Sequence, residues 1–64
     1  MSVGENIRRI REMKEIPQVE LAEKAGVTQA MICQIERGTK NPSIQVAAEI
    51  TGVLGCALED FLER

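Results

Sequence analysis

Residues 18–38 read QVELAEKAGVTQAMICQIERG, and the fold is decided there. The stretch has the punctuation of two short helices joined by one tight turn. Leu21 and Ala22 give the first helix an apolar, small inner pair, and Gly26 stands where a left-handed residue is wanted to stop it. Val27 follows as an apolar wedge and Thr28 as the N-cap of a second helix. Ile32 and Ile35 set one buried stripe along that helix, which should run to about Arg37 and stop at Gly38 by the same logic.

Upstream, Ser2-Val3-Gly4-Glu5 has the form of a capping box, with Glu5 reaching back to the Ser2 backbone. The helix it opens should run to about Lys14, with Val3, Ile7, Ile10 and either Met13 or Lys14 as its stripe. Pro17 cannot continue that helix but fits the first turn of the next, predicted over 18–25. Downstream, Thr39-Lys40-Asn41-Pro42-Ser43 is a turn, with Asn41 or Ser43 capping a helix that reaches Leu54. Ile44, Ala47, Ile50 and Leu54 are expected to face inward along it, and Gly55 to end it. A last short helix over 58–63 adds Leu58, Phe61 and Leu62. With no strand pattern, repeat or linker, the expected architecture is all-α: a compact five-helix bundle forming one domain over 1–64. Residues 18–37 have the spacing of a helix-turn-helix, whose second helix can be offered to a DNA major groove.

Sixty-four residues make a small domain, able to bury only about 60% of its unfolded surface. The chain is 44% hydrophobic and 28% charged, which is globular rather than disordered. Phe61 is the only aromatic, so the core must be built from aliphatic side chains and Met. Such a core leaves room for stabilisation by dimer formation. The net charge of −2 argues mildly against a nucleic-acid partner, but its distribution softens the objection. Residues 1–41 hold seven bases against six acids, whereas residues 42–64 hold only Arg64 against Glu49, Glu59, Asp60 and Glu63. Positive charge therefore collects in the half with the two-helix motif, and the acidic tail would face away from phosphate.

Cys33 and Cys56 are isolated, and there is no histidine, so the common zinc spacings are absent and no metal is expected. Two cysteines are also a poor case for a secreted disulfide scaffold. No signal peptide is visible, and no apolar run approaches the ~20 residues of a membrane span. A reduced, cytoplasmic protein is expected. Enzymatic activity is not: no base stands beside a nucleophile, no glycine loop cradles phosphate, and neither catalytic residues nor a cofactor are indicated.

The landmarks extend from about Gly4 to Leu62. They are Ile7-x-x-Ile10-Arg11, then Gln18-x-x-Leu21-Ala22-x-x-x-Gly26-Val27-Thr28, then Ile32-x-x-Ile35-Glu36-x-Gly38. Asn41-Pro42-Ser43-Ile44 and Leu54-Gly55-x-x-Leu58-x-x-Phe61-Leu62 complete them. In this register the chain resembles the phage-repressor-like helix-turn-helix family, also called the Cro/repressor or XRE family. The resemblance implies a lambda-repressor-like five-helix domain that binds double-stranded operator DNA, usually as a homodimer on a palindromic site. It implies a transcriptional regulator, most simply a repressor. Four positions depart from the family pattern. Pro17 replaces a Ser or Thr cap, Glu15 a frequent Gly, and Ala57 the usual cap of helix 5. Thr51-Gly52 interrupts helix 4, where Gly costs about 1 kcal/mol. All four bear on local stability rather than on the DNA face.

With Ile32 and Ile35 turned inward, Gln29, Ala30, Cys33, Gln34 and Arg37 point outward or to the flanks. Gln29, Ala30, Cys33 and Gln34 are the expected base contacts. A glutamine amide donates and accepts at once, matching the N6/N7 edge of adenine, although exposed glutamines also occur as mere solvated surface. Gln18 starts a helix whose N-terminus favours an anion, and the family places a phosphate contact there; a local cap is the plainer alternative. Thr39, Lys40 and Asn41, with the backbone N–H groups of loop 38–41, are further phosphate candidates. Arg37 is another, or else it compensates the dipole of its helix end. Arg11 and Glu36 sit in otherwise apolar stripes, and the resemblance suggests that they form a structural ion pair beneath the DNA-facing surface.

Two readings stay open from sequence. Cys33 is either a small residue tolerated beside DNA or a redox-sensitive thiol. Val46 and Val53, with Phe61 and Leu62, form either part of the core or a patch for self-association. An antitoxin or adaptor that meets a protein partner through its acidic half is the competing function for the same fold.

Overall fold

The structure, a computed structural model, describes residues 2–56. Its elements are α1 (Val3–Met13), α2 (Gln18–Ala25), α3 (Gln29–Arg37) and α4 (Ile44–Leu54). The described residues contain helices and no strand, as expected. The fifth helix expected over 58–63, the cap position Ala57 and the acidic tail lie outside the described residues. No helix among the described residues is long and apolar enough to cross a membrane.

Local chemistry explains where the helices start. Ser2 Oγ accepts from the Glu5 N–H at 3.1 Å while Glu5 Oε1 accepts from the Ser2 N–H at 2.9 Å, so the capping box is closed on both sides. That backbone bond holds the Glu5 carboxyl below its ordinary pKa. Thr28 caps α3 through the Met31 N–H, and Ser43 rather than Asn41 caps α4 through the Val46 N–H. Pro17 gives α2 no side-chain cap.

All four helices end alike, α4 at Gly55 with the Cys56 N–H on the Thr51 carbonyl at 3.2 Å. In each, a residue at the end of the helix adopts a left-handed conformation and the next N–H reaches back five residues. Val27 N–H meets the Ala22 carbonyl at 3.0 Å and Thr39 N–H meets that of Gln34 at 3.0 Å, with Gly26 and Gly38 at positive φ. After α1 the same closure, Ile16 N–H to Arg11 carbonyl at 3.1 Å, places Glu15 at φ 57°. A non-glycine residue is strained there by the approach of its Cβ to the backbone. The missing family glycine therefore has a physical cost.

α3 packs against α1 and α2, and α4 packs against α2. Ile7, Leu21, Ile32, Ile35, Ile50 and Leu54 are the large side chains sealed inside. Val46 and Val53 are half-buried against this core, as are Ile16, Val27 and Cys56. Two expectations fail. Ile44 does not face inward but is 85% exposed, because it occupies the first position of α4, one turn before the buried Ala47. Met13 and Lys14 do not continue the stripe of α1 either: Met13 is 71% exposed, and the buried line runs Gly4, Ile7, Arg11.

Gly4 stands on that line for a reason the sequence does not announce. A β-carbon there would overlap the Ile35 carbonyl and press on that of Glu36. The first turn of α1 thus crosses the last turn of α3 backbone to backbone.

Candidate nucleic-acid interface

The two sides of α3 differ sharply. Ile32, Ile35 and Glu36 are buried, whereas Gln29, Ala30, Gln34 and Arg37 are exposed and Cys33 is half-buried. The glutamine side chains and the Arg37 guanidinium bond no other described residue. The helix is held through one face and presents a row of uncommitted groups on the other.

Glu36 receives everything arranged behind that row. Arg11 Nε donates to Glu36 Oε2 at 2.7 Å and Arg11 Nη2 to Oε1 at 3.1 Å, a bidentate pair with side chains only 10% and 4% exposed. The Glu36 hydrogen bonds hold the Arg11 guanidinium above its ordinary pKa. Arg11 Nη1 also donates to the Ile16 carbonyl at 2.8 Å, tying down the turn between α1 and α2. Gln18 Nε2 donates to Glu36 Oε1 at 3.0 Å. No buried side-chain nitrogen or oxygen among the described residues lacks a partner, so the ion pair is compensated despite its burial.

Gln18 is thus neither a cap nor simply a surface group. One amide proton is committed to Glu36, and the half-buried side chain sits at the uncapped start of α2. The second amide proton remains for an outside acceptor.

Loop 38–41 divides its labour. The N–H groups of Gly38, Thr39 and Lys40 turn back to carbonyls of α3, and Thr39 Oγ1 donates to the Gln34 carbonyl at 3.1 Å. Three of the backbone donors read as phosphate candidates, and the Thr39 hydroxyl, are therefore spent on closing α3. The side chains of Lys40 and Asn41 are exposed and bond no other described residue.

A shallow groove between the start of α1 and the end of α3 brings Arg8 and Arg9 beside Arg37. Arg8 is paired with Glu12 at 3.2 Å, and Arg9 contacts the Met13 sulfur. Charge counting registers these arginines but cannot place them; their nearness to Arg37 comes from the α1–α3 crossing at Gly4. Among the described residues, no three His, Cys, Asp or Glu side chains are grouped to hold a metal.

A short helix, a glycine-closed turn and a second helix anchored on one side and bare on the other define a helix-turn-helix domain. The chain belongs to the family described as helix-turn-helix, which it matches over residues 7–61. It is 40% identical over 55 residues to the immunity repressor protein of Bacillus phage phi105, covering 86% of this chain and 38% of that one. It is 37% identical over 63 residues to the transcriptional regulator SinR of Bacillus subtilis, covering 97% of this chain and 57% of SinR. The chain therefore spans about half the length of these relatives or less. Among solved structures, SinR in complex with DNA superposes with a TM-score of 0.89 at 37% identity, covering 95% of this chain and 98% of that one. The P22 c2 repressor in complex with a synthetic operator superposes with a TM-score of 0.92 at 28% identity, covering 98% and 96%. The all-helical repressor-like fold is thereby established.

Proposed function

We infer that the chain binds double-stranded operator DNA sequence-specifically and regulates transcription, acting as a repressor in the cytoplasm. One observation carries the reading: Gln29 and Gln34 project from the bare side of a helix whose other side is locked by isoleucines and Glu36. Relatives named as a repressor and a regulator, and two similar structures solved with DNA, support it. They favour it over the antitoxin or adaptor alternative and give an enzyme no support.

In this reading α3 lies in the major groove, with Gln29, Ala30, Cys33 and Gln34 at base edges. Lys40, Asn41, Arg37 and the second amide proton of Gln18 meet phosphate, which fixes position and carries little sequence information. Thr39 contributes by shaping the loop, and reaches phosphate only by giving up its bond to Gln34. A homodimer places two copies of α3 about 34 Å apart, reading a palindrome with half-sites one turn apart.

The test is selection of bound duplexes from a random pool at two salt concentrations. An enriched palindrome, bound more weakly at the higher salt, is expected. No enrichment at low salt overturns the reading.

A further inference from the structure

The arginines that meet in the groove between α1 and the end of α3 have unequal commitments. Arg8, Arg9 and Arg37 line it together with Glu5, Glu12 and Glu36. Each of these carboxylates is already engaged. Glu5 closes the capping box on Ser2, Glu12 accepts from Arg8 at 3.2 Å, and Glu36 is held by Arg11 and Gln18. Arg37 bonds no other described residue, and Arg9 has only the Met13 sulfur at 3.8 Å, a weak acceptor. Counting Arg11 behind Glu36, four arginines stand against three carboxylates, which leaves one positive charge unbalanced. The carbonyl end of α3 would repel an anion here, but the N–H groups of Gly38, Thr39 and Lys40 close it.

We propose that this groove is a phosphate site for the operator backbone outside the helix-turn-helix, in which Arg9 of α1 and Arg37 of α3 hold one phosphate between them. The inference rests on operator binding as proposed above and gives α1 a part in it. A chain of net charge −2 draws DNA through local positive charge, so the cations without a carboxylate partner matter most. Among the described residues these are Arg9, Lys14, Arg37 and Lys40, because Arg8, Arg11 and Lys24 are paired. The groove joins two of the four, Arg9 and Arg37. Their planar donor forks suit phosphate oxygens, and two forks from different helices fix a phosphate from two directions. They meet because position 4 is bare and α1 can lie directly on the end of α3. A duplex seated on α3 brings its backbone to that end.

The closing experiment uses the full chain and the operator recovered by selection, with backbone phosphates neutralised one at a time as methylphosphonates. One phosphate should show a loss of about fivefold in the parent that disappears in Arg9→Gln, the upper range for an exposed ion pair. The same variant should lower the salt slope by about one while selecting the same sequence. Arg9→Lys keeps the charge and should keep the parent's slope. Lys24→Gln removes an equal charge that does not line the groove, and should leave the effect of that phosphate in place. Arg9 is exposed, so its variants should melt with the parent. A lower melting temperature would leave the phosphate scan, run well below it, to decide. The parent's slope in Arg9→Gln, or an identical phosphate scan in both proteins, overturns the site and leaves the groove to another occupant such as an acidic peptide. Either result leaves DNA binding standing. Failure to enrich any duplex removes the DNA reading itself, and this inference with it.

Discussion

The inner and outer sides of α3 are made of similar material yet do opposite things. Each carries polar groups able to form several hydrogen bonds. Inside, the Glu36 carboxylate accepts three hydrogen bonds from Arg11 and Gln18. Outside, Gln29, Gln34 and Arg37 hold no bond to another described side chain. The difference is commitment rather than polarity. A group already satisfied within the chain contributes to stability, whereas one left open on a rigid support is available to a partner.

The sharpest way to break this contrast is Glu36→Ala. It strands the Arg11 guanidinium in a buried site and should cost about 3–5 kcal/mol, enough to unfold a domain this small. Chemical denaturation giving the parent's midpoint would refute the structural role of the pair. Gly4→Ala comes next. It forces a methyl group against the Ile35 carbonyl and should cost about 1–3 kcal/mol although alanine is the better helix former. Unchanged thermal stability would show that α1 and α3 separate easily.

On the outer side the expectation reverses. Gln34→Ala should leave stability within about 0.5 kcal/mol and weaken operator binding by about 1–3 kcal/mol. Lost stability with unchanged binding would invert the two sides. Smaller effects sharpen the contrast away from α3. Gly52 is exposed within α4 and a β-carbon there meets nothing, so Gly52→Ala should raise the melting temperature, by about 1 kcal/mol in stability. Glu15→Gly relieves the left-handed strain but loosens the unfolded chain, leaving a gain of about 0.5 kcal/mol. A loss in either variant would mean that the turn or helix is held by contacts beyond the local backbone.

What sequence reading recovers follows the range of the chemistry. Thr28, Gly26 and Gly38 act within a few residues of themselves, so caps and stops are visible in the chain and the helix borders fall where expected. Ile44 is misread because periodicity reports the side of a helix, not how far the neighbouring helix extends. The second task of Gln18 is hidden because its partner, Glu36, lies on another helix. Gly4 is hidden for the same reason: the requirement comes from the Ile35 carbonyl arriving across the bundle. Thr39 was legible as a turn residue but not as a donor to Gln34. The candidate base contacts were legible because once Ile32 and Ile35 are assigned inward, helical geometry leaves the opposite side determined.

The contact at Gly4 has a consequence for redesign. Where two helices touch through side chains, exchanging those side chains changes the tilt between them. Here main chain meets main chain, so the closest approach of α3 to α1 is set by atoms that no substitution elsewhere can resize. The aliphatic interior can therefore be repacked for a hotter-melting scaffold while the closest approach of α1 and α3 is kept, provided position 4 is left bare.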